Sequence, residues 1–266
     1  DDIYYVGVGD IVNEAAGQGN DVVYSKINWT LSANVERLYL WGTTGAIGTG
    51  NGLNNKLYGS GNSAADTMVG GLGDDTYEVG NNDAIIELPG EGTDVANCYA
   101  SYTLAPGVSV EYLFLYVTAG RTLTGNELAN YLRGNSGNDA LNGNLGNDTL
   151  TGGPGNDMLT GGGGADVFRF DAAIGSGIDT ITDYSVADDT IQLENAVFAS
   201  LTTTGTLAPG SFVVGTAALD ANDYVIYDNA TGALSYDADG NGSGAAVQFA
   251  TLGIGLGLTN LDFVVS

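Results

Sequence analysis

Five nine-residue units follow one another in unbroken register between residues 125 and 169, reading GNELANYLR, GNSGNDALN, GNLGNDTLT, GGPGNDMLT and GGGGADVFR. A looser array precedes them: GNGLNNKLY at 50–58, the eleven-residue GSGNSAADTMV at 59–69, and GGLGDDTYE at 70–78. A short strict period constrains folding severely, because every unit must take up the same local conformation. One such unit cannot bury its apolar face alone, but stacked units can, so the pattern predicts a solenoid.

The unit has the form G-G-x-G-x-D-x-U-x, with U apolar. Its glycines permit left-handed or crowded backbone at a tight turn. Its last three residues form a short strand with U facing a core, and here U is Leu132, Leu141, Leu150, Leu159 and Phe168. Two units make one turn of a flattened roll, so residues 18 apart stack on the same edge. That spacing pairs Asp139 with Asp157 and Asp148 with Asp166. It also pairs Asn130 with Asp148, and across the eleven-residue unit the same stacking pairs, as a poorer rung, Asn55 with Asp75, 20 residues apart.

A turn of this kind points backbone carbonyls inward, and the Asp at its sixth position adds a carboxylate. The predicted ligand carboxylates are Asp139, Asp148, Asp157, Asp166 and Asp75. The turn backbone joining them comes from Gly134, Ser136, Gly137, Gly143, Leu145, Gly146, Gly152, Gly153, Gly155, Gly161, Gly162 and Gly164. Beyond the array lie Asp179, Asp183, Asp188 and Asp189, of which Asp183 is predicted to complete a last site against Asp166; the alternative is a solvated loop. An all-oxygen set without His or Cys suits Ca²⁺, which accepts six to eight oxygens in flexible geometry. Several ions are expected, each between two stacked turns, so that binding energy becomes folding energy. The competing reading is a metal-free glycine-rich solenoid.

Charge agrees with a cation partner. Asp and Glu number 32 against 6 Lys and Arg, a net charge of -26. Such a chain is repelled by nucleic acid phosphates and by anionic membrane surfaces. Its self-repulsion opposes compaction unless counter-ions neutralise it; the alternative is a solvated acidic surface. The chain has no histidine, which removes Ser-His and Cys-His catalysis, HExxH metalloprotease sites and imidazole zinc ligands. No carboxylate pair stands out for glycoside cleavage, and no enzyme is predicted. The single cysteine, Cys98, cannot form an intramolecular disulfide and reads as a small buried hydrophobe. No apolar run reaches the roughly 18 residues that a membrane span needs. No N-terminal signal peptide is visible, and a start at Asp1-Asp2 is expected for a piece of something longer.

A longer repeat encloses the short one. Asp2-Ile3-Tyr4-Tyr5-Val6 returns as Asp75-Thr76-Tyr77-Glu78-Val79, Gly19-Asn20-Asp21 as Gly92-Thr93-Asp94, and Thr30-Leu31 as Thr103-Leu104, each 73 residues later. Glu14 with Asp21, and Glu87 with Asp94, recur at the same place; they either hold calcium or cap turns. After Phe170 the nine-residue period stops and hydrophobic runs begin. The expected division is 1–73, a first module; 74–169, a second module with the main nonapeptide roll; and 170–266, a C-terminal cap. The expected fold is all-β, a right-handed parallel β-roll or β-solenoid with a β-sandwich-like cap. Asp237-Ala238-Asp239-Gly240-Asn241-Gly242 is either the start of an EF-hand-like loop lacking its downstream Glu or an Asp/Gly hairpin turn. Trp29, Trp41 and the 15 Tyr are either a sugar-stacking face or cross-strand pairs.

At the nonapeptides the sequence resembles the RTX, or haemolysin-type calcium-binding, family. The longer module resembles segments of large RTX proteins and of alginate-epimerase-like proteins. The stretch from Asp166-Val167-Phe168 to Asp179-Thr180-Ile181-Thr182-Asp183-Tyr184 is similar to the segment that closes the roll in serralysin-type proteases. Leu261-Asp262-Phe263-Val264-Val265-Ser266 resembles the acidic-then-hydrophobic tail read by type I secretion systems. The resemblance implies a secreted, extracellular bacterial protein, exported through the type I apparatus and folded by calcium outside the cell. It is to the accessory modules of these families, not to their catalytic domains. It implies a folding and secretion module of a larger protein; the alternative is a structural, adhesive or polysaccharide-binding component of a surface layer or matrix.

Overall fold

A computed structural model describes residues 1–266, which contain no α-helix and only two short 3-10 turns. By Cα packing the chain divides into two compact units, 1–117 and 118–266; the sequence modules are divisions by repeat rather than by packing. No helix is long and apolar enough to cross a membrane.

In the first unit seven short strands lie side by side in parallel: Ile3–Val6, Val22–Ser25, Arg37–Leu40, Lys56–Tyr58, Thr76–Val79, Val95–Cys98 and Tyr112–Leu115. A second parallel sheet contains Trp29–Thr30, Ile47–Thr49, Thr67–Val69 and Ala84–Ile86. The chain alternates between the two sheets, which is the winding of a parallel solenoid. Period-two alternation puts Leu38, Leu57, Tyr77, Ala96 and Leu113 inside, each with no exposed surface.

The second unit contains the five regular nonapeptides. Tyr131 pairs with Thr149 and Thr149 with Val167 in one sheet, while Thr122 pairs with Ala140 and Ala140 with Met158 in the other. Each step is 18 residues, the advance predicted for two units per coil. All five U residues are at most 1 % exposed, and Leu132, Leu150 and Phe168 stack directly in register. Replacing Leu150 by Ala should therefore remove about 2–5 kcal/mol of the folded state's stability, read as a lower denaturant midpoint in saturating calcium. A loss below about 1 kcal/mol would show that the neighbouring coils collapse onto the gap.

Two glycine positions show why the turn tolerates so few residues. Gly162 has φ 99°, and a Cβ there would collide with the carbonyl oxygen of Asn144 in the coil below. Asn144, at the same repeat position, has φ 76°, a left-handed conformation that Asn tolerates better than most residues. At the fourth position, a Cβ on Gly155 would meet the carbonyl of Gly137. The coils are spaced by backbone pairing, so the turns have no room to move apart.

The segment expected as a β-sandwich-like cap is built into the same two sheets. Thr190–Leu193 and Phe263–Val265 extend the first sheet in parallel, and Gly205–Thr206 closes its edge antiparallel. Asp179–Ile181 and Val247–Thr251 extend the sheet of Thr122, Ala140 and Met158, followed by antiparallel Ala233–Tyr236 and Val225–Asp228 and then Phe212–Val214. Edge-to-face contacts of Phe198 with Tyr236 and Phe249, and of Phe170 with Phe249, fill the space between them. The strands that follow the regular coils are thus packed together by an aromatic cluster.

Candidate metal centres

Each coil presents a polar residue immediately before its strand, and these residues form ladders along the edges of the roll. In the second unit the backbone N–H of Asn130 donates to Asp148 Oδ1 (2.7 Å), that of Asp148 to Asp166 Oδ1 (2.9 Å), and that of Asp166 to Asp189 Oδ1 (2.9 Å). On the other edge Arg121 N–H donates to Asp139 Oδ1 (2.8 Å), Asp139 N–H to Asp157 Oδ1 (2.8 Å), and Asp157 N–H to Asp179 Oδ1 (3.0 Å). One carboxylate oxygen therefore ties each coil to the one before it.

The other oxygen is left over. Asp148, Asp157 and Asp166 are buried, and the Oδ2 of each has no hydrogen-bond donor. Each of these oxygens lies against the first glycine of its own unit: a Cβ on Gly143, Gly152 or Gly161 would run into it. At Gly143 the carbonyl of Gly161, one coil on, borders the same space, and at Gly134 the carbonyl of Gly152 does so. Asp139 differs, since its Oδ2 accepts the Asn135 N–H at 3.1 Å. Gly137 and Gly146 donate their N–H groups to the carbonyls of Pro154 and Gly163, holding successive turns in register. Gly153, Gly155 and Gly164 supply the left-handed backbone of the turn. Ser136 lies part-buried in its turn, whereas Leu145 is 59 % exposed and pairs through its backbone with Gly163.

A buried anionic oxygen without a partner is costly, and the protonation behaviour shows it. Burial pushes the carboxyl of Asp148 up to about 7, that of Asp157 to about 6 and that of Asp179 to about 8. Burial likewise raises Asp166 and Asp189, against hydrogen bonds that favour their charged forms. Three of the six basic side chains are held in ion pairs elsewhere, Lys56–Glu78, Arg133–Asp171 and Arg169–Glu194. Buried carboxylates beside glycine carbonyls make a hard, all-oxygen donor set, which fits Ca²⁺.

Asp183 is placed differently from its neighbours. It is exposed and accepts the N–H groups of Gly161 (3.0 Å) and Gly162 (2.8 Å), one on each oxygen. The ladder positions after Asp157 and Asp166 are filled by Asp179 and Asp189. Their signal in the sequence is Asp-Thr-Ile at 179–181 and again at 189–191, the D-x-U core of the repeat displaced by longer coils.

The ladder also runs through the looser nonapeptide array of the first unit and through coils there that carry no nonapeptide. Asp2 N–H donates to Asp21 Oδ1 (2.6 Å), Asn55 N–H to Asp75 Oδ1 (2.6 Å), Asp75 N–H to Asp94 Oδ1 (2.7 Å), and Asp94 N–H to Glu111 Oε2 (2.7 Å). The nonapeptide period does not reach Asp21, Asp94 and Glu111, because their coils are 15 to 20 residues long and out of period; the 73-residue repeat marks Asp21 and Asp94 but not Glu111.

Two other candidates are engaged locally. The loop from Asp237 to Gly242 connects antiparallel strands, and Asp239 Oδ2 accepts the Gly244 N–H within it (3.0 Å). The tyrosines Tyr5, Tyr24, Tyr39 and Tyr58 stack on one another with centroids 5.1, 4.7 and 3.7 Å apart. Tyr24 and Tyr39 are thereby stacked on both sides, Tyr5 at the end of the row stays 69 % exposed, and the Lys26 ammonium lies 3.9 Å over the Trp41 ring.

Parallel coils with buried carboxylates at both edges define a cation-binding β-roll. Residues 49–83, 124–159 and 133–168 match the RTX calcium-binding nonapeptide repeat, in four copies, so the chain carries RTX calcium-binding repeats. The solution structure of the AlgE6R3 subunit from the Azotobacter vinelandii mannuronan C5-epimerase is similar at 24 % identity and TM-score 0.38, over 55 % of this chain and 78 % of that one. No curated protein matches the chain.

Proposed function

We propose that this chain is a secreted calcium-folded module, exported unfolded through a type I apparatus and serving the folding and secretion of a larger protein. The observation that carries the reading is the row of buried Oδ2 atoms on Asp148, Asp157 and Asp166 without donors. Each rung would be held by its Asp carboxylate and neighbouring glycine carbonyls, and the bound ion would supply the positive charge that joins two coils. Without it, like charges stack at every coil and oppose the winding. The module acts structurally: its ladder carboxylates are committed to the backbone amides of adjacent coils. The tail suits the same route, because Phe263 and Val265 are buried in the first sheet. A receptor can read that tail only before the roll closes.

The test is circular dichroism of the metal-free chain during calcium titration, with magnesium as control. Extracellular calcium modules bind at about 10⁻⁴–10⁻³ M, and a cooperative gain of β-signal in that range, with calcium only, is expected. Magnesium demands near-ideal octahedral geometry and gives up water reluctantly, so it should fail. A chain already folded in chelator and unchanged by calcium would overturn the proposal.

A further inference from the structure

Outside the nonapeptides, one cluster is built as the repeat turns are not. Asp75, Glu87 and Asp94 each offer a carboxylate oxygen, and these atoms lie within 4.8 Å of one another. All three residues are 1 % exposed. Asp75 and Asp94 each use Oδ1 on a ladder amide. Their Oδ2 atoms, and Oε1 of Glu87, have no hydrogen-bond donor. The Tyr77 hydroxyl donates to Glu87 Oε2.

The position of Glu87 explains the cluster. It follows the strand Ala84–Ile86, as Gly70 follows Thr67–Val69 and Gly143 follows the inward part of its own strand. It thus stands where a nonapeptide has its first glycine. Its carboxylate fills the space beside Gly70, where a Cβ would meet Asp75 Oδ2, Glu87 Oε2 and the Tyr77 hydroxyl. A nonapeptide turn offers carbonyls at this place; this coil offers a third charged side chain.

A more open version of the arrangement is built a second time, with Asp2 exposed, Glu14 half-buried and Asp21 buried. Asp2, Glu14 and Asp21, each 73 residues earlier, also bring carboxylate oxygens within 4.8 Å of one another. Tyr4 donates to Glu14 Oε2 at 2.5 Å, as Tyr77 does to Glu87, and Asp21 Oδ2 is again without a donor. Two coils with different loop sequences thus hold the same three carboxylates and the same tyrosine.

We propose that Asp75, Glu87 and Asp94, and in the second copy Asp2, Glu14 and Asp21, form a separate class of calcium site that binds more tightly than the nonapeptide turns. At Asp75, Glu87 and Asp94 three carboxylates converge with no ion-pair partner, whereas in the second copy the Asp1 ammonium lies 3.7 Å from Asp21 Oδ1; a hard divalent cation is the group that satisfies three such carboxylates. Affinity in oxygen sites rises with the number of charged ligands, so these sites should fill first. The inference rests on the chain being a calcium binder but concerns residues the repeat does not include: Glu87 and Asp94 lie beyond the matched segment that ends at residue 83.

The experiment counts bound calcium on the full-length chain by equilibrium dialysis across a calcium series, comparing the native sequence, Glu87→Gln, Glu14→Gln with Glu87→Gln, and Asp148→Asn with Asp157→Asn. Gln is isosteric and still accepts the tyrosine hydrogen bond. One ion should vanish from the tightest class in Glu87→Gln and two in the double variant, while the Asp148 and Asp157 pair leaves that class intact. Unchanged ion numbers and affinities in Glu87→Gln would overturn the inference while leaving the calcium module standing. A native chain that binds no calcium would overturn both. Should Glu87→Gln fail to fold in saturating calcium, Asp94→Asn supplies the same count, and an unchanged tight class there would be equally decisive.

Discussion

Replacing Asp148 and Asp157 together by Asn should raise the calcium concentration at the folding midpoint by on the order of tenfold to a hundredfold, and flatten the transition. The two residues stand on opposite edges of the roll, so one substitution pair weakens both rows of rungs. Asn keeps an acceptor for the amides of Asn130 and Asp139, which these carboxylates hold at 2.7 and 2.8 Å. The backbone ladder can then persist, and the change falls on the Oδ2 side, where the charge is buried and without a donor. A tenfold shift corresponds to about 1.4 kcal/mol per binding step. The readout is the midpoint and steepness of the calcium titration. If the amide ladder alone stabilises the roll, the variant should fold in chelator at least as well as the native chain, with its calcium response unchanged.

Acidity should act on the metal-free and calcium-bound chains in opposite directions. Burial raises Asp75 and Asp148 to about 7, Asp94 and Asp157 to about 6, and Glu87 and Asp179 to about 8. In the unfolded chain these groups titrate near 4. A group whose pKa is raised on folding stabilises the fold fully below its unfolded value, and that contribution is lost as the pH rises through its folded value. The metal-free chain should therefore gain β-signal on acidification from pH 8 to pH 5. Calcium must displace the same protons, so its midpoint should rise as the pH falls from 8 to 6, and binding near pH 7 should release protons. Calorimetry in buffers of different ionisation enthalpy measures that release directly. A calcium midpoint constant from pH 6 to pH 8 would show that the carboxylates are charged before the ion arrives.

Both results depend on features of unequal visibility in the sequence. Inside 125–169 the period is strict, so local conformation and global stacking are the same statement. The 18-residue advance, the buried stack of Leu132, Leu150 and Phe168, and the rungs Asp139–Asp157 and Asp148–Asp166 all follow from it. Asp183 shows where the period stops being a guide: beyond Asp157 and Asp166 the advance lengthens to 22 and 23 residues, and the ladder passes to Asp179 and Asp189.

The sequence by itself determined the coil, its core residues and an oxygen-only chemistry that suits a cation, because repetition and composition fix these without knowledge of distant contacts. Only the tertiary structure decided which carboxylates outside the repeat share an edge. Strand register is set by backbone pairing and by which face is buried, whereas loop length costs little to vary. Coils of different length can therefore present Asp75 and Asp94 in line, and fold Glu87 back between them. The same freedom wove strands of 170–266 into both sheets of the second unit and stacked Tyr24, Tyr39 and Tyr58 on one another.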